Sequence, residues 1–179
     1  MVMFYYIPAN KSNEIVTALF VLAGITDWLD GYLARKLDQA SPFGAFLDPV
    51  ADKLIVGVAL ILLVGDSQIA ESVLSIKLFT IVTCVIIGRE ITISALREWM
   101  ASTGNRSSVA VGFLGKVKTT AQMISIAMLL YGDSLYGLPI FRIGEFGLYF
   151  AAALTLWSMF GYLRAAWPSL TEGNEKTLL

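Results

Sequence analysis

Long apolar stretches separated by short polar ones dominate the pattern of this chain. A membrane-crossing helix needs ~20 mostly apolar residues at a rise of ~1.5 Å each. Five stretches approach or reach that length, at roughly residues 14–35, 48–64, 72–97, 110–131 and 140–163. The connections between them, such as "GDSQIAE" and "YGDSLYGLPI", are rich in glycine and small polar residues, which favour turns. The pattern therefore predicts an all-α fold that crosses a membrane.

The chain begins with a further apolar segment, "MVMFYYI", which has only seven residues before Pro8. A helix of this length covers ~10 Å of a ~30 Å hydrocarbon core. The segment also lacks the polar start and the cleavage site of a signal peptide. We interpret residues 1–8 as the remnant of a first helix whose beginning is absent here, and residues 1–179 as a single transmembrane domain.

Composition supports the membrane interpretation and narrows the chemistry. Hydrophobic residues make up 56% of the chain and charged residues 15%, and the net charge is −1. A nucleic-acid-binding domain would need a basic face, which this chain lacks. With no histidine and a single cysteine, the chain has neither Cys/His zinc chemistry, nor a histidine base, nor an intrachain disulfide. Aspartate, glutamate, lysine and arginine must carry any chemistry.

The basic residues flank alternate connections. Arg35 and Lys36 follow the first full span, whereas "GDSQIAE" and "YGDSLYG" contain no lysine or arginine. Four more basic residues lie around the third connection: Arg97, Arg106, Lys116 and Lys118. By the positive-inside rule, the first and third connections face the cytoplasm.

The stretch "TDWLDGYLARKLDQASPFGAFLDPVADK", residues 26–53, contains five aspartates, four of which recur at helical spacing beside apolar spans. On a helix, the first group falls within one arc of about 140°. That group is Asp27, Asp30, Gly31, Ala34 and Arg35. The second group follows at steps of four: Gly44, Asp48 and Asp52. Two hairpin-linked helices are therefore expected to direct four carboxylates towards one another, which requires cations.

Oxygen ligands without histidine or cysteine favour Mg²⁺ or Mn²⁺, particularly when a phosphate completes the coordination. Two such ions would balance four carboxylates. Small residues on the same faces would let a ligand approach the backbone, although they also serve helix packing. Arg35 is permanently charged and bidentate, which suits a diphosphate. Two alternatives remain: the aspartates only cap or snorkel at helix ends, or they bind the ion carried by a cation transporter.

These residues match every position of D-x-x-D-G-x-x-A-R-x8-G-x3-D-x3-D, and the chain thereby resembles the CDP-alcohol phosphatidyltransferases. The resemblance implies six membrane helices, a polar cavity facing the cytoplasm, a homodimer, and displacement of CMP from CDP-diacylglycerol by an acceptor hydroxyl. It assigns the metals to Asp27, Asp30, Asp48 and Asp52, with Asp52 also the base. It assigns the CDP-diacylglycerol side to Gly31, Ala34, Arg35 and Gly44.

The acceptor must be inferred from the second half of the chain. Residues 88–123, "GREITISALREWMASTGNRSSVAVGFLGKVKTTAQM", resemble the bacterial phosphatidylglycerophosphate synthases of that family. This implies sn-glycerol 3-phosphate as acceptor and the bacterial inner membrane as location. A phosphate-bearing acceptor needs fixed cations, and five are available: Arg89, Arg97, Arg106, Lys116 and Lys118. Alternatively, Arg89 only pairs with Glu90 and the others only set topology. A sister enzyme acting on inositol phosphate, serine or a second lipid is the alternative function.

Overall fold

The computed structural model describes residues 9–37, 42–102, 113–132 and 137–172. Within these ranges it leaves undescribed the side chains of residues 9–12, 28, 34–35, 42–43, 45–49, 113–116 and 169–172. The described chain forms six helices and no β-strand: α1 (Ala9–Lys36), α2 (Pro42–Gly65), α3 (Ser67–Ser72), α4 (Ile76–Ser102), α5 (Phe113–Tyr131) and α6 (Ile140–Glu172). The predicted all-α class is confirmed. The remnant at residues 1–8 lies outside the described residues.

Each of the five predicted spans coincides with a long helix, but the bounds differ. The second helix begins at Pro42 rather than at residue 48. Proline suits the first helical position, because its missing N–H has no intrahelical acceptor there. Pro49 consequently lies inside α2, where it lacks the backbone N–H that would donate a hydrogen bond to the preceding turn. The last helix continues to Glu172 instead of ending near residue 163.

The connection "GDSQIAE", predicted as a loop, contains the short helix α3. Asp66 caps it, since its carboxylate accepts from the backbone N–H of Gln68 at 2.8 Å and of Ile69 at 3.1 Å. An aspartate at this position satisfies amides that a helix start would leave unpaired. The stretch remains a connection between two spans, and its six-residue helix is too short to give a periodicity that the sequence reveals.

Three described helical segments are long and apolar enough to cross a membrane, namely Asn13–Leu33, Ile76–Ser102 and Ile140–Pro168. Large apolar side chains remain exposed on all three, for example Leu22, Ile81 and Trp157. Contiguous apolar exposure of this extent is expected for a surface that faces lipid. The chain therefore has an all-α membrane fold.

The helices pack around α5, which contacts α1, α2 and α6. The fourth helix packs against α2 and α6. Side chains from α1, α2, α4, α5 and α6 form the buried core, which includes Leu60, Phe79, Ile126 and Leu148. This arrangement brings residues of α4, α5 and α6 close together in space although they are far apart in sequence.

A buried carboxylate ties the segment before α4 to the last helix. Glu145 is fully buried and accepts from the backbone N–H of Leu74 at 2.9 Å, from Tyr149 Oη at 2.8 Å and from Arg142 at 2.8 Å. These three donors compensate the loss of hydration that burying a charge entails. The contact fixes the start of α6 against the residues that lead into α4.

Close packing of α6 on α5 depends on a glycine. A Cβ atom at Gly144 would lie 2.8 Å from Met128 Cβ and 3.0 Å from the Ser125 carbonyl oxygen. The helices would have to move apart, so we expect Gly144→Ala to lower the free energy of unfolding by roughly 1–3 kcal/mol. Thermal unfolding in detergent, followed by circular dichroism, measures this loss. Gly161→Ala is the matched control, because a Cβ there meets nothing within 4 Å.

Candidate functional site

Asp27 and Asp30 lie on α1, inside the segment that is apolar enough to cross a membrane. They precede the end of α1 by nine and six residues, or about 14 and 9 Å of helix. Asp27 is partly buried and Asp30 exposed, while Gly31 next to them is partly buried. A carboxylate is unfavourable at such a depth and is generally functional when found there.

The second half of the predicted site lies on α2, which packs against α1. Asp48 and Asp52 are one helical turn apart, and Gly44 lies one turn before Asp48. Asp52 is exposed and Gly44 partly buried. The side chains of Ala34, Arg35 and Asp48 lie outside the described part of the structure. The two helices that carry the motif are therefore neighbours, as the hairpin prediction requires.

The metal site predicted from the sequence stays a prediction. Among the described residues, no group of three or more carboxylate, histidine or cysteine side chains is close enough to hold a metal ion. The described residues include the side chains of three of the four motif aspartates but not that of Asp48. The donor set nevertheless suits a hard divalent cation, since all four candidates are carboxylates on two adjacent helices.

A buried group of charged residues lies where α4, α5 and α6 meet; we call it the Glu90 cluster. It consists of Arg89, Glu90, Lys118 and Ser158. Arg89 donates to Glu90 Oε1 at 2.9 Å and, through its other terminal nitrogen, to Ser158 Oγ at 2.9 Å. Lys118 Nζ donates to the same Glu90 oxygen. One carboxylate oxygen thus binds two cations from different helices.

The Glu90 cluster carries a net positive charge in a largely buried position. The exposed fraction is 7% for the Arg89 side chain and 3% for that of Lys118, against 26% for Glu90. Two cations and one carboxylate leave one positive charge in excess. Arg89 Nε is buried and has no hydrogen-bond partner among the described residues. The cluster therefore has excess positive charge and an unsatisfied donor, both of which suit an anion.

Arg89 lies at the fourteenth of the 27 residues of α4, midway along a candidate membrane span. The alternative anticipated for Arg89, a pair with Glu90, is present. That pair does not neutralise the cluster, because Lys118 shares the same carboxylate. The pair is therefore compatible with an anion site as well as with a purely structural role.

The other predicted acceptor residues are not brought into the Glu90 cluster by any described contact. Arg97 is exposed on α4. Arg106 and the side chain of Lys116 lie outside the described residues. Their predicted roles at an acceptor site stay predictions, and Arg89 and Lys118 are the two candidates that the structure places together.

Sequence reasoning missed two members of this arrangement. The sequence suggested Glu90 only as a partner for Arg89, but Glu90 also binds Lys118, which lies 28 residues later. Nothing in the sequence indicated a role for Ser158, since a lone serine in an apolar helix usually bonds only its own backbone. Its hydroxyl donates to the Thr155 carbonyl at 2.9 Å, as expected, but it also accepts from Arg89. The aromatic ring of Tyr162 lies 5.8 Å from the Arg89 guanidinium and adds a cation–π contact.

Comparison with known proteins gives a consistent result. The family model for CDP-alcohol phosphatidyltransferases matches residues 1–157. A protein of Haemophilus influenzae is 49% identical over 168 residues, covering 94% of this chain and 85% of its own length. One of Sodalis glossinidius is 50% identical, covering 96% and 88%, and one of Pseudomonas fluorescens is 46% identical, covering 99% and 88%. All three are named CDP-diacylglycerol–glycerol-3-phosphate 3-phosphatidyltransferase.

Proposed function

The chain belongs to the CDP-alcohol phosphatidyltransferase family, and from this we propose that it transfers the phosphatidyl group of CDP-diacylglycerol to sn-glycerol 3-phosphate. The products are phosphatidylglycerophosphate and CMP, which places the enzyme in phospholipid biosynthesis. The names of relatives that are 46–50% identical over nearly the whole chain support this reaction. The structural observation that supports a phosphate-bearing acceptor is the excess positive charge buried in the Glu90 cluster.

The motif aspartates supply the other half of the site. Asp27, Asp30, Asp48 and Asp52 would hold the divalent metal ions that this family uses, and we infer two Mg²⁺ or Mn²⁺ ions. When bound, such ions would neutralise negative charge on the diphosphate and stabilise the attacking oxygen of the acceptor and the leaving oxygen of CMP. The all-carboxylate donor set fits that assignment. Gly31, Ala34, Arg35 and Gly44 would line the diphosphate, where small residues allow close approach and Arg35 adds a fixed charge.

Asp52 is assigned as the general base. The hydroxyl oxygen of glycerol 3-phosphate forms a bond to the phosphorus that carries diacylglycerol. The bond from that phosphorus to the CMP oxygen breaks, and the hydroxyl proton moves to Asp52. A carboxylate in this role needs reach to the hydroxyl, and the last aspartate of the motif lies on the exposed side of α2.

Arg89 and Lys118 would bind the phosphate of the acceptor. Their cationic groups converge on one carboxylate oxygen, so a phosphate at this point would contact both helices. Arg97, Arg106 and Lys116 are proposed to extend this basic surface. Since lysine and arginine flank the same connections, we place the active site on the cytoplasmic side of a bacterial inner membrane, in a homodimeric protein.

The alternative functions differ in what they require of the Glu90 cluster. A sister enzyme using serine would have no need for a buried net positive cluster, whereas one using inositol phosphate would. A cation transporter would explain carboxylates in α1 and α2 but not the positive charge at the Glu90 cluster. Metal flux into liposomes without lipid turnover would favour the transporter.

The deciding experiment measures CMP release by the purified protein in detergent–lipid micelles containing CDP-diacylglycerol. We expect release with glycerol 3-phosphate, little with glycerol, serine or inositol phosphate, and loss of release after chelation that Mg²⁺ or Mn²⁺ restores. Circular dichroism checks that chelation leaves the helices intact. Preference for another acceptor would reject the proposed substrate, and full turnover in excess chelator would reject the metal assignment.

A further inference from the structure

Glu90 binds both cations that we assign to the acceptor phosphate, and we propose that it is a placeholder which the phosphate displaces. In the unliganded protein its carboxylate neutralises part of the charge of Arg89 and Lys118. When glycerol 3-phosphate binds, its phosphate takes over both cations and the Glu90 carboxylate turns out of the cluster. The inference rests on the proposed function, and it makes Glu90 a positioning and specificity residue rather than a catalytic one.

Electrostatics explains why a placeholder is needed. Arg89 and Lys118 are almost fully buried, and an unpaired buried cation strongly destabilises a fold. Both bind the same oxygen, Glu90 Oε1. Two cations that prepare a phosphate site would repel each other in the empty protein. The carboxylate keeps them close together until the phosphate arrives.

Burial indicates which member of the cluster moves. The Glu90 side chain is 26% exposed, several times more than either cation. Arg89 is also held by Ser158 at 2.9 Å and lies over the Tyr162 ring. The carboxylate can therefore leave the cluster by a short movement, whereas the arginine would have to leave a hydrogen bond and an aromatic contact.

Charge balance indicates which ligand displaces it. A phosphate dianion matches the two positive charges of Arg89 and Lys118, so the site becomes neutral once Glu90 has left. The buried Arg89 Nε, which has no partner among the described residues, supplies a further donor for a phosphate oxygen. An acceptor without a dianion has no such compensation. Glu90 thereby favours phosphorylated acceptors over neutral alcohols.

A purely structural role predicts a different behaviour. In that case the Glu90 cluster is a permanent clamp between α4 and α5, and phosphate has no access to it. Removing the carboxylate would then destabilise the protein without changing its response to phosphate.

The test compares Glu90→Gln with the parent protein. Because a competing charge is lost, we expect the KM for glycerol 3-phosphate to fall by about fivefold or more, with the CDP-diacylglycerol KM unchanged. We expect the variant to have a lower Tm, and inorganic phosphate to raise that Tm further than it raises the parent's. Chloride at equal ionic strength controls for screening. Glu98→Gln is the matched control, as Glu98 is an exposed carboxylate on the same helix.

An unchanged or raised acceptor KM in Glu90→Gln, or an equal phosphate-induced shift in Tm, would overturn the placeholder role. Should Glu90→Gln fail to fold, Glu90→Asp decides, because the shorter carboxylate keeps its charge but loses reach to the cations. We expect a smaller fall in acceptor KM there, and no fall overturns the proposal. A parent protein that releases no CMP with glycerol 3-phosphate would instead reject the proposed function, which separates the two failures.

Discussion

Asp52→Asn should lower the rate of CMP release by about 10²–10⁴-fold, which is the usual effect of losing a general base. Asparagine keeps the size of the side chain but does not accept the proton of the acceptor hydroxyl. Because Asp52 is also a proposed metal ligand, we expect the loss at the upper end of that range. Single-turnover measurements of CMP release at saturating concentrations of both substrates report the effect.

Binding of CDP-diacylglycerol should largely survive in the Asn variant, since three motif aspartates remain. Glu71→Gln is a suitable control, because Glu71 is an exposed carboxylate on α3, outside the motif. The control should match the parent. If Asp52→Asn turned over at the parent's rate, neither the base nor the metal assignment of Asp52 would stand.

Lys118→Met should raise the KM for glycerol 3-phosphate by about tenfold or more, since a hydrogen bond to a charged group contributes about 1.5–3 kcal/mol. Methionine removes the charge but preserves the length of a linear side chain. Arg89 and Glu90 remain as a neutral pair, so the fold should tolerate the change. The measurement is steady-state kinetics with the acceptor varied at saturating CDP-diacylglycerol, and the CDP-diacylglycerol KM determined separately.

The same kinetics on single alanine variants of Arg89, Arg97, Arg106 and Lys116 test the remaining acceptor residues. Lys77→Ala is the control, since Lys77 is an exposed cation at the N-terminal end of α4, about 18 Å of helix from Arg89. Basic residues that only set topology would behave like Lys77. An acceptor KM within twofold of the parent's in all five candidates would mean that the acceptor binds elsewhere.

The sequence by itself determined the class of fold and the approximate helices. An apolar run long enough to cross a bilayer must hydrogen-bond its own backbone, so membrane length and composition together require a helix. The residue spacing also placed Asp27 and Asp30 on one face of α1, and Asp48 and Asp52 on one face of α2, because helical periodicity is fixed. The family followed from the same spacing, and the comparisons confirm it.

Only the tertiary structure decided how the basic residues of the second half are arranged. The Arg89–Glu90 pair was one alternative in the sequence, but helical periodicity relates only residues a few positions apart and gives no reason for Lys118 to share the same oxygen. It does so because α4 and α5 both pack against α2 and α6, which brings side chains 28 residues apart into contact. Packing likewise buries Glu145 and joins it to Leu74, 71 residues away. Such contacts depend on how helices are arranged around one another, which local periodicity does not encode.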